Sequence, residues 1–563
     1  MVLGGIALAL RRRRRAAGAA ASANPVVRPP VARLGRRLSQ RGATRPFFSS
    51  LLAATSLAIL ATSGQACSCG SDETTTECGT DCNSECVGDL APGLVGAYTS
   101  VAKAKDGTVW VAGYNDGDLA TSISGTSFLY GDLVVGKYDL GRGRTTWETV
   151  DGVGARTAGC SDYAKTGWRK GETESGDDVG QWTSMQLADD GVPMVAYFDA
   201  THGSLKFATR DGVAATGKWT SFVVQQLPKA EVGRYAKMVL DGGKPAIAYQ
   251  VIEATATGTK SRVVLARAKS NKPSSASDFS FEDVAFDDKG PCQIVAGSVS
   301  CSGSDVCVKS TGACTKTVTG CQPACASGKA CVTTAGAATC VDVATNDGIV
   351  AYPNASGTYV ASAVGPKGIG LVAYDRVHGN LVAFTKDTSK WTATILDGET
   401  GSRSGGTAKD TGDTGVGASL FIDGAGTYHV TYVDGISEQL RYVTFANGKA
   451  EAFDVVDDGN GLDGKGFADG KHVVGDDSTV LVDGTTIRVF YQDATAGTLR
   501  MATGVAGSGG KRTWTRTVLD QTAKRFTGYF PQVVPGGGQI AHFWRQFDPS
   551  TVSMVGDVTL TKY

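Results

Sequence analysis

The hydrophobic pattern from about residue 95 onward is that of short strands. Runs of β-branched and aromatic residues alternate with turns that contain Gly and Asp, as in GVPMVAYFDATHGSLKFATRDG from Gly191. Each unit holds a short strand, a Gly-bearing turn, a strand ending in Tyr-x-Asp, a second turn and a third strand. A fourth strand, which contains a Trp in several units, follows the third. No long amphipathic helical pattern competes from Thr99 onward, so the chain is predicted to be all-β.

This unit repeats along the chain. Clear copies start at Thr183, Ser362, Ala418 and Ser478, with looser copies at Thr99, Ala236 and Pro531. The glycine of the first turn recurs at Gly107, Gly191, Gly242, Gly368, Gly424, Gly484 and Gly537. Most intervals are 51–60 residues, and the longest is 126. Four antiparallel strands at this period predict a β-propeller, whose blades bury each other's faces. Seven four-stranded blades are expected, with six or eight as alternatives.

The repeat boundaries divide the chain into five segments. They are an export signal (1–66), a Cys-rich polar tether (67–94), blades one to three (95–286), a disulfide-rich insertion (287–345), and blades four to seven (346–563). The C-terminal TVSMVGDVTLTKY is expected to close the ring by pairing with strands of the first blade.

The consensus D-G-x-x-x-V-A-Y-x-D-x-x-x-G-x-L-x-x-A resembles the repeats of sialidase-like propellers over residues 95–563. Sialidases carry Asp-boxes of the form S-x-D-x-G-x-T-W. The nearest segment here, KAKDGTVW from Lys103, departs from that form because its Asp and Gly are adjacent. No Phe-Arg-Ile-Pro segment supplies the first Arg of a sialidase triad. The resemblance therefore implies the fold more than it implies glycosidase chemistry.

The first 66 residues have the features of a targeting segment. They contain eleven Arg, no Lys and no acid, and a short apolar run, FFSSLLAATSLAIL, starts at Phe47. A basic flank, a short apolar region and small residues predict an export signal, and a single membrane anchor is the alternative. Cys67 follows Gly64-Gln65-Ala66 and resembles a bacterial lipobox, with Gly64 where that family has an aliphatic residue.

Export has two outcomes, lipidation of Cys67 or simple cleavage after Ala66. The protein is thus expected to be an outer-membrane or cell-surface lipoprotein, or secreted. Membrane contact is expected only through the lipid on Cys67. Residues 67–563 carry 44 basic and 55 acidic residues, which argues against a nucleic-acid partner.

All fourteen cysteines lie after the signal, where disulfides persist. Eight form a dense island: Cys292, Cys301, Cys307, Cys314, Cys321, Cys325, Cys331 and Cys340. The island has no His and no C-x-x-C pair, which disfavours zinc. Four disulfides are predicted, with open connectivity. In spacing the island resembles small EGF-like or dickkopf-like disulfide modules of extracellular proteins.

Several polar and aromatic residues recur at fixed blade positions, which favours a structural role. His202 and His378 share one position in a turn. The Asp residues Asp199, Asp375, Asp434 and Asp493 are expected to accept backbone N–H groups at hairpins. The Trp residues Trp147, Trp219, Trp391 and Trp514 are expected to pack blade on blade. No nucleophile-elbow, zincin, phosphate-loop or dinucleotide motif occurs in a fitting context.

The loop DDGNGLDG from Asp457 to Gly464 offers oxygen ligands at a spacing that suits Ca²⁺. Its candidate ligands are Asp458, Asn460 and Asp463. It lacks the distal Glu of an EF-type loop, so an ordinary solvated turn is the favoured alternative. No other cofactor is expected.

Long polar inter-blade loops are expected on one face of the disc, where function concentrates. The acids expected on them are Asp177, Asp178, Asp413, Asp458, Asp463 and Asp477. The candidate ligand-binding residues are Asp178, Asp413, Asp463, Lys471, His472, Arg525 and Tyr529. Tyr529 and Phe530 offer a stacking surface, with packing inside the blade as the alternative.

These features predict a monomeric, non-catalytic binding protein whose ligand is a carbohydrate or a protein. A mostly acidic rim favours neutral sugars, cations or basic protein patches over anionic polymers. The alternative is a secreted polysaccharide-degrading enzyme, a glycoside hydrolase or lyase, with its site at the mouth of the propeller channel. Glycoside hydrolysis needs two facing carboxylates, which the sequence does not identify.

Overall fold

The computed structural model describes the following residues: 94–119, 128–153, 176–214, 216–255, 258–284, 293–295, 298–301, 303–308, 313–334, 336–343, 356–376, 379–387, 391–398, 413–468, 470–507, 512–549 and 553–563. Within these ranges the only helix is a 3₁₀ turn at Ala276–Asp278. No helix in the described ranges is long and apolar enough to cross a membrane. The export signal, the tether, Cys67, Cys160, Cys292 and His378 lie outside the described residues.

The strands form antiparallel sheets in chain order, one sheet per blade. The first blade contains β1 (Val95–Lys103), β2 (Val109–Leu119), β3 (Phe128–Asp139) and β4 (Arg144–Asp151). The second contains β5 (Val179–Leu187), β6 (Pro193–Asp199), β7 (Ser204–Arg210) and β8 (Trp219–Gln225). The third contains β9 (Ala230–Asp241), β10 (Lys244–Thr255), β11 (Gly258–Ala268) and β12 (Phe279–Val284).

Six short strands then precede the fourth blade: β13 (Gln293–Val295), β14 (Ser298–Ser300), β15 (Asp305–Val308), β16 (Ala313–Lys316), β17 (Lys329–Thr334) and β18 (Ala337–Asp342). The fourth blade contains β19 (Ser356–Gly365), β20 (Gly368–Asp375), β21 (Asn380–Lys386) and β22 (Trp391–Asp397). The fifth contains β23 (Thr414–Ile422), β24 (Tyr428–Asp434), β25 (Gln439–Ala446) and β26 (Lys449–Asp457). The sixth contains β27 (Val474–Asp483), β28 (Thr486–Asp493), β29 (Thr498–Ala506) and β30 (Arg512–Asp520), and the seventh contains β31 (Arg525–Val533), β32 (Gln539–Asp548) and β33 (Ser553–Lys562).

The seven first strands form a closed inner ring. Each contacts the first strand of the next blade, and β31 of the last blade contacts β1 of the first. The predicted seven-bladed propeller is therefore confirmed. Both faces of a blade are covered by its neighbours, which explains why a strand such as β6 is buried along its whole length.

The seventh blade differs from the prediction of four strands in every blade. Its sheet has three strands in the described residues, with β33 paired to β32 rather than to a strand of the first blade. The first blade reaches β33 through an isolated parallel bridge between Leu94 and Gly556. The indole of Trp147 also donates a 2.9 Å hydrogen bond to Asp557. Among the described residues, side-chain contacts and this bridge join the last blade to the first.

A repeated hydrogen bond joins neighbouring blades near the inter-blade connections. A buried Tyr on the second strand of one blade donates to the acid at the end of the preceding blade's last strand. The pairs are Tyr197–Asp151 (2.6 Å), Tyr432–Asp397 (2.7 Å) and Tyr491–Asp457 (2.8 Å). In the third blade Tyr249 donates to Gln225 at 2.7 Å instead. The Asp that ends three of the outer strands, followed by Gly in two of them, thus makes a blade-to-blade contact.

The tryptophans of the outer strands make a second set of blade-to-blade contacts, as predicted. Trp219 donates to Glu148 of the preceding blade at 3.0 Å. Trp391 donates in the same way to Glu282 of the preceding blade. The predicted hairpin role of Asp is also observed. Asp434 accepts the backbone N–H groups of Ile436 and Ser437.

The insertion between β12 and β19 consists of three two-stranded hairpins. Disulfides join Cys301 to Cys314, Cys321 to Cys331, and Cys325 to Cys340, and Cys307 is also disulfide-bonded. Its buried apolar residues in the described ranges are Cys307, Val308 and Val332. Such a small core requires covalent cross-links, as the cysteine pattern predicted.

Candidate functional site

The strand order determines which face of the propeller carries the loops. Each inner strand begins at one face of the disc, and the sheets run antiparallel. The hairpins between second and third strands and the connections between blades therefore emerge at that same face, called here the loop face. The central channel opens there between the inner strands.

Each inner strand carries the same irregularity close to its start. A Gly with positive φ opens it, and the pairing with the second strand shifts register over the next residues. A Cβ on Gly180 would lie 2.8 Å from Cα of Leu133, and one on Gly528 would lie 2.9 Å from Cα of Leu499. Glycine is needed because the inner strand presses against the third strand of the preceding blade.

The residue two positions after each of these glycines belongs to a set that we call the channel ring. Its members, in blade order, are Tyr98, Trp182, Tyr235, Tyr359, Gly417, Asp477 and Phe530. The five aromatic members belong to consecutive blades, because the seventh blade adjoins the first. All five residues are only partly exposed to solvent.

The aromatic members form a continuous arc. Ring centroids are 5.1 Å apart for Phe530 and Tyr98, 5.5 Å for Tyr98 and Trp182, 4.9 Å for Trp182 and Tyr235, and 5.0 Å for Tyr235 and Tyr359. These separations fall within the range of tilted aromatic pairs. The arc thus gives one side of the channel mouth an unbroken π surface.

Backbone strain accompanies this arc. Its five residues have φ between 49° and 55°, the left-handed region that bulky residues rarely adopt. Such a conformation costs on the order of 1–3 kcal/mol per residue. Gly417 has φ 61° and is the residue that this backbone favours. Five of the seven equivalent positions therefore carry aromatic side chains although their backbone conformation is unfavourable.

The remaining side of the ring is small or acidic. Gly417 has no side chain, and a Cβ there would lie 2.4 Å from the backbone oxygen of Asp476. Asp477 stands where five of the other blades have an aromatic residue. Oδ2 of Asp477 accepts the backbone N–H of Phe530 at 3.3 Å. Asp476 precedes it, and Lys237 lies two residues beyond Tyr235 on β9. The charge of Asp477 reaches Tyr98, Tyr359 and Lys237, which belong to three other blades, as expected for a carboxyl that faces the channel.

Burial in the channel shifts the ionisation of these groups. It raises the pKa of Asp476 to about 7, with further increases from Asp477 and Glu438. It raises the pKa of Asp477 to about 6, and the hydrogen bond from Phe530 and the charge of Lys237 oppose that rise. Burial lowers the pKa of Lys237. The tyrosines of the arc have raised pKa values and remain neutral hydroxyl groups.

Two of the predicted site residues, Asp178 and Asp413, occupy equivalent places before an inner strand. Tyr114 donates to Asp178 at 2.9 Å, and Tyr374 donates to Asp413 at 3.2 Å. Burial raises the pKa of Asp178. Both carboxyls therefore lie close to the arc, since Tyr114 packs edge-on against Tyr98 with centroids 5.9 Å apart and Tyr374 lies 6.3 Å from Tyr359.

Arg525 and Tyr529 lie in the seventh blade. The guanidinium of Arg525 sits 3.8 Å above the ring of Trp544. Tyr529 is buried beneath Arg545 and packs on Phe543, which is the packing alternative considered for it. Phe530, its neighbour, is the residue that faces the channel. Asp477, expected on an inter-blade loop, lies inside β27.

His472 is buried in the connection that leads into the sixth blade. Its Nδ1 lies 2.7 Å from Oδ2 of Asp493, and its ring stacks on Phe467. Asp493 also pairs with Arg500 at 2.5 Å. His472 thus belongs to an internal charge network, whereas Lys471 beside it is exposed.

A similar arrangement occurs in the second blade, at the turn that holds His202. Its Nδ1 lies 3.0 Å from Asp199 and 3.8 Å from Asp177. The three side chains have ligand atoms close enough together for a metal ion. The same contacts tie the hairpin down, because Asp199 also accepts the backbone N–H of His202. This geometry agrees with the structural role predicted for His202.

The calcium candidate loop is filled by a cation of the protein itself. The guanidinium of Arg516 bonds to Oδ1 of Asp457, to the carbonyl oxygens of Asn460 and Gly461, and weakly to Asp458 at 3.5 Å. Asp463 points away on an exposed turn and pairs with Lys465 at 3.8 Å. Since Arg516 already neutralises these oxygens, the loop offers Ca²⁺ a poor donor set.

The channel ring was missed by the sequence analysis. Its signal is a Gly-x-aromatic triplet at the start of the units, as in Gly96-Ala97-Tyr98 and Gly180-Gln181-Trp182. An aromatic residue in a strand ordinarily reads as core, so the triplet gave no reason to expect an exposed surface.

Comparison with protein-family profiles and with curated protein sequences finds no match. Among solved structures the chain resembles other propellers. One is the fucose-specific lectin from Aleuria aurantia, at 12% identity and TM-score 0.30, covering 68% of this chain and 94% of the lectin. Another is the intramolecular trans-sialidase from Ruminococcus gnavus, at 12% identity and TM-score 0.35, covering 85% and 97%. A third is the polysaccharide lyase Uly1, at 12% identity and TM-score 0.31, covering 82% and 77%. These likenesses concern the fold alone.

Proposed function

We propose that this protein is a non-catalytic binding protein that takes a carbohydrate at the loop-face mouth of its central channel. The observation that carries this proposal is a continuous, partly exposed arc held at an unfavourable backbone conformation, formed by Phe530, Tyr98, Trp182, Tyr235 and Tyr359. Strained residues persist where the surrounding structure and a function retain them.

A sugar suits this surface for two reasons. The apolar C–H faces of a sugar ring can cover aromatic faces, while its hydroxyls need polar partners at the edge. The neutral phenols of the arc and the carboxyls of Asp178 and Asp477 supply such partners. A basic protein loop is the second ligand class predicted for the acidic rim. The concave, ring-shaped mouth favours a narrow ligand over a flat protein surface.

The enzymatic alternative has one observation in its favour. A carboxyl with a pKa of about 7, as at Asp476, resembles a general acid. Glycoside hydrolysis also requires a second carboxyl on the opposite side of the scissile bond. The channel ring presents aromatic residues on the sides away from Asp476 and Asp477, so we favour binding without turnover.

The test is a glycan array followed by isothermal titration calorimetry of the sugars retained. Trp182→Ala removes a central face of the arc, and we expect it to weaken affinity at least about tenfold, which equals ~1.4 kcal/mol. Trp219→Ala is the matched control, because Trp219 lies on the outer strand β8 and bonds to Glu148. Thermal unfolding of both variants checks that they fold.

Three results would overturn parts of this proposal. Equal affinity of wild type and Trp182→Ala for the retained sugars would remove the channel ring as the site. Retention of no sugar at all would remove the carbohydrate class. Shortened products, detected by mass spectrometry after overnight incubation with a bound oligosaccharide, would replace binding by catalysis.

A further inference from the structure

The channel ring is asymmetric in charge as well as in shape. Five of its positions are aromatic, one is Gly417, and one is Asp477, with Asp476 beside it. A sugar that stacks on the arc would turn its opposite edge toward these two carboxyls. Asp476 and Asp477 therefore determine which chemical group of the ligand is favoured at that edge.

We infer that the ligand is a sugar carrying a positively charged ammonium group, with the ring stacked on the arc and the ammonium directed at Asp476 and Asp477. This inference rests on the proposed carbohydrate function and names its ligand class. Three observations support it: the two carboxyls have no ion-pair partner among the described residues, acids outnumber cations at the mouth, and the aromatic arc lies opposite.

Among the residues that the structure describes, the two carboxyls have neither an ion-pair partner nor a side-chain hydrogen-bond donor. In the described part of the chain no Lys, Arg or His nitrogen lies within 4.0 Å of Asp476 or Asp477. By contrast, Asp457 pairs with Arg500 at 3.1 Å and with Arg516 at 2.5 Å. Within the described ranges, Asp178 and Asp557 also lack a cation within 4.0 Å, but they accept side-chain hydrogen bonds from Tyr114 and Trp147. Asp476 and Asp477 accept none from a side chain and are left for another group.

The mouth is acidic overall. The charged side chains that act most strongly on Tyr98, Tyr235 and Tyr359 include five acids and two cations: Asp116, Asp178, Glu231, Asp476, Asp477, Arg234 and Arg376. Lys237 adds a third cation, and it acts on Asp477 without forming an ion pair within 4.0 Å. A cation is drawn into such a mouth and an anion is repelled.

The arc adds a preference of its own for cations. An ammonium near aromatic faces is attracted by the ring quadrupole, and the attraction grows when water is excluded. The protein already uses this interaction here, since the guanidinium of Arg234 lies 5.6 Å from the centroid of Trp182 and is itself paired with Glu231. A free ammonium beside the arc would have both π faces and two carboxylates.

Lys237 can neutralise only part of the charge of the two carboxyls. Burial lowers its pKa, and it lies one layer deeper than the ring, two residues beyond Tyr235. It can balance one carboxylate across the channel, but two are present. A bound ammonium would favour the ionised form of the second carboxyl, so one negative charge is available to a ligand.

The test compares two probes of equal length by calorimetry at neutral pH and physiological salt. They are a glucosamine pentamer, which carries ammonium groups, and an N-acetylglucosamine pentamer, which does not. We expect wild type to bind the glucosamine pentamer at least about tenfold more tightly. Asp477→Asn should abolish most of that preference. Asp463→Asn is the matched control, because Asp463 is an exposed acid on a loop-face turn.

The outcomes separate this inference from the proposed function. If both pentamers bind equally, or the neutral one binds better, the ammonium inference is wrong while carbohydrate binding stands. If neither pentamer binds but array sugars bind through Trp182, the inference is likewise wrong and the site stands. If Asp463→Asn lowers the preference as much as Asp477→Asn, the charge effect is diffuse and Asp477 is not its source. If no sugar binds, the proposed function itself fails.

Discussion

The hydroxyl of Tyr432 donates a 2.7 Å hydrogen bond to Oδ2 of Asp397 across the boundary between the fourth and fifth blades. Tyr432 is fully buried, and so is Asp397. The equivalent pair in the third blade, Tyr249 with Gln225, has a neutral acceptor. One blade position thus contains a natural comparison between a charged and an uncharged acceptor.

We predict that Tyr432→Phe lowers the free energy of unfolding by about 2 kcal/mol, because it removes a hydrogen bond to a buried carboxylate. Tyr249→Phe should cost only about 1 kcal/mol, since its acceptor is an amide. Urea unfolding of both variants measures the difference. An equal or larger loss for Tyr249→Phe would show that acceptor charge does not strengthen the contact.

The charge network of the sixth blade is expected to be more sensitive still. Arg500 pairs with Asp457 and Asp493, and all three are buried. Arg500→Met removes the cation that bridges the two carboxylates and leaves Asp457 only Arg516 and Asp493 only His472. Breaking such buried pairs costs about 3–5 kcal/mol. The loss should shrink as pH falls, because protonation neutralises the stranded acids. A loss below ~1 kcal/mol at neutral pH, read against the exposed control Arg142→Met, would contradict this account.

Asp476 and Asp477 are expected to destabilise the fold at high pH. Their pKa values in the folded protein, about 7 and about 6, exceed the ordinary value of 3.8. Between those limits the folded state binds more protons than the unfolded state, so their contribution to stability falls as pH rises. We predict that the double variant Asp476→Asn/Asp477→Asn is more stable than wild type at pH 8. At pH 4 the two should be equally stable by denaturant unfolding, and a constant difference would be contrary to this account.

The same ionisation should control ligand affinity. A glucosamine pentamer with trimethylated amines keeps its charge at every pH, so only the protein titrates. We expect its affinity to rise between pH 5 and pH 8 as Asp476 and Asp477 ionise, with Glu438, Lys237 and the neutral tyrosines of the ring facing them. The Asp476→Asn/Asp477→Asn variant should bind weakly at all pH values. A flat profile for wild type would separate binding from these two groups.

The insertion is predicted to be dispensable for the propeller. Its three hairpins hold few buried apolar side chains and depend on disulfides. All eight tryptophans lie outside residues 287–345. Reduction with dithiothreitol, or deletion of 291–341, should therefore leave the tryptophan emission maximum and the unfolding midpoint nearly unchanged. A red-shifted emission after reduction would mean that the insertion supports the blades.

The sequence predicted the blade count because each unit repeats the same turn glycine and the same Tyr-x-Asp. Tyr197 and Asp199 show why this works: Tyr197 contacts the preceding blade and Asp199 closes a hairpin, so both recur with the geometry. The three-stranded sheet that the described residues form in the seventh blade could not be predicted, because the contacts between the last and first blades, such as Trp147 with Asp557, join residues distant in sequence.

The candidate site was predicted only in its location. Asp178 and Asp413 lie at the loop face beside the arc, as the loop argument required. Phe530 and Asp477 were each named without their shared position being recognised. That position depends on a register shift in the inner strands, and a shift of pairing leaves no periodic signal in the sequence.

The most direct measurement of the central claim is a crystal structure of the protein with the glucosamine pentamer. The account predicts density for a sugar ring against Tyr98 and Trp182 in the channel mouth, with an amine nitrogen within about 3.2 Å of an Asp477 oxygen. Density bound only to outer strands or to the opposite face, or an empty channel at saturating pentamer, would contradict it.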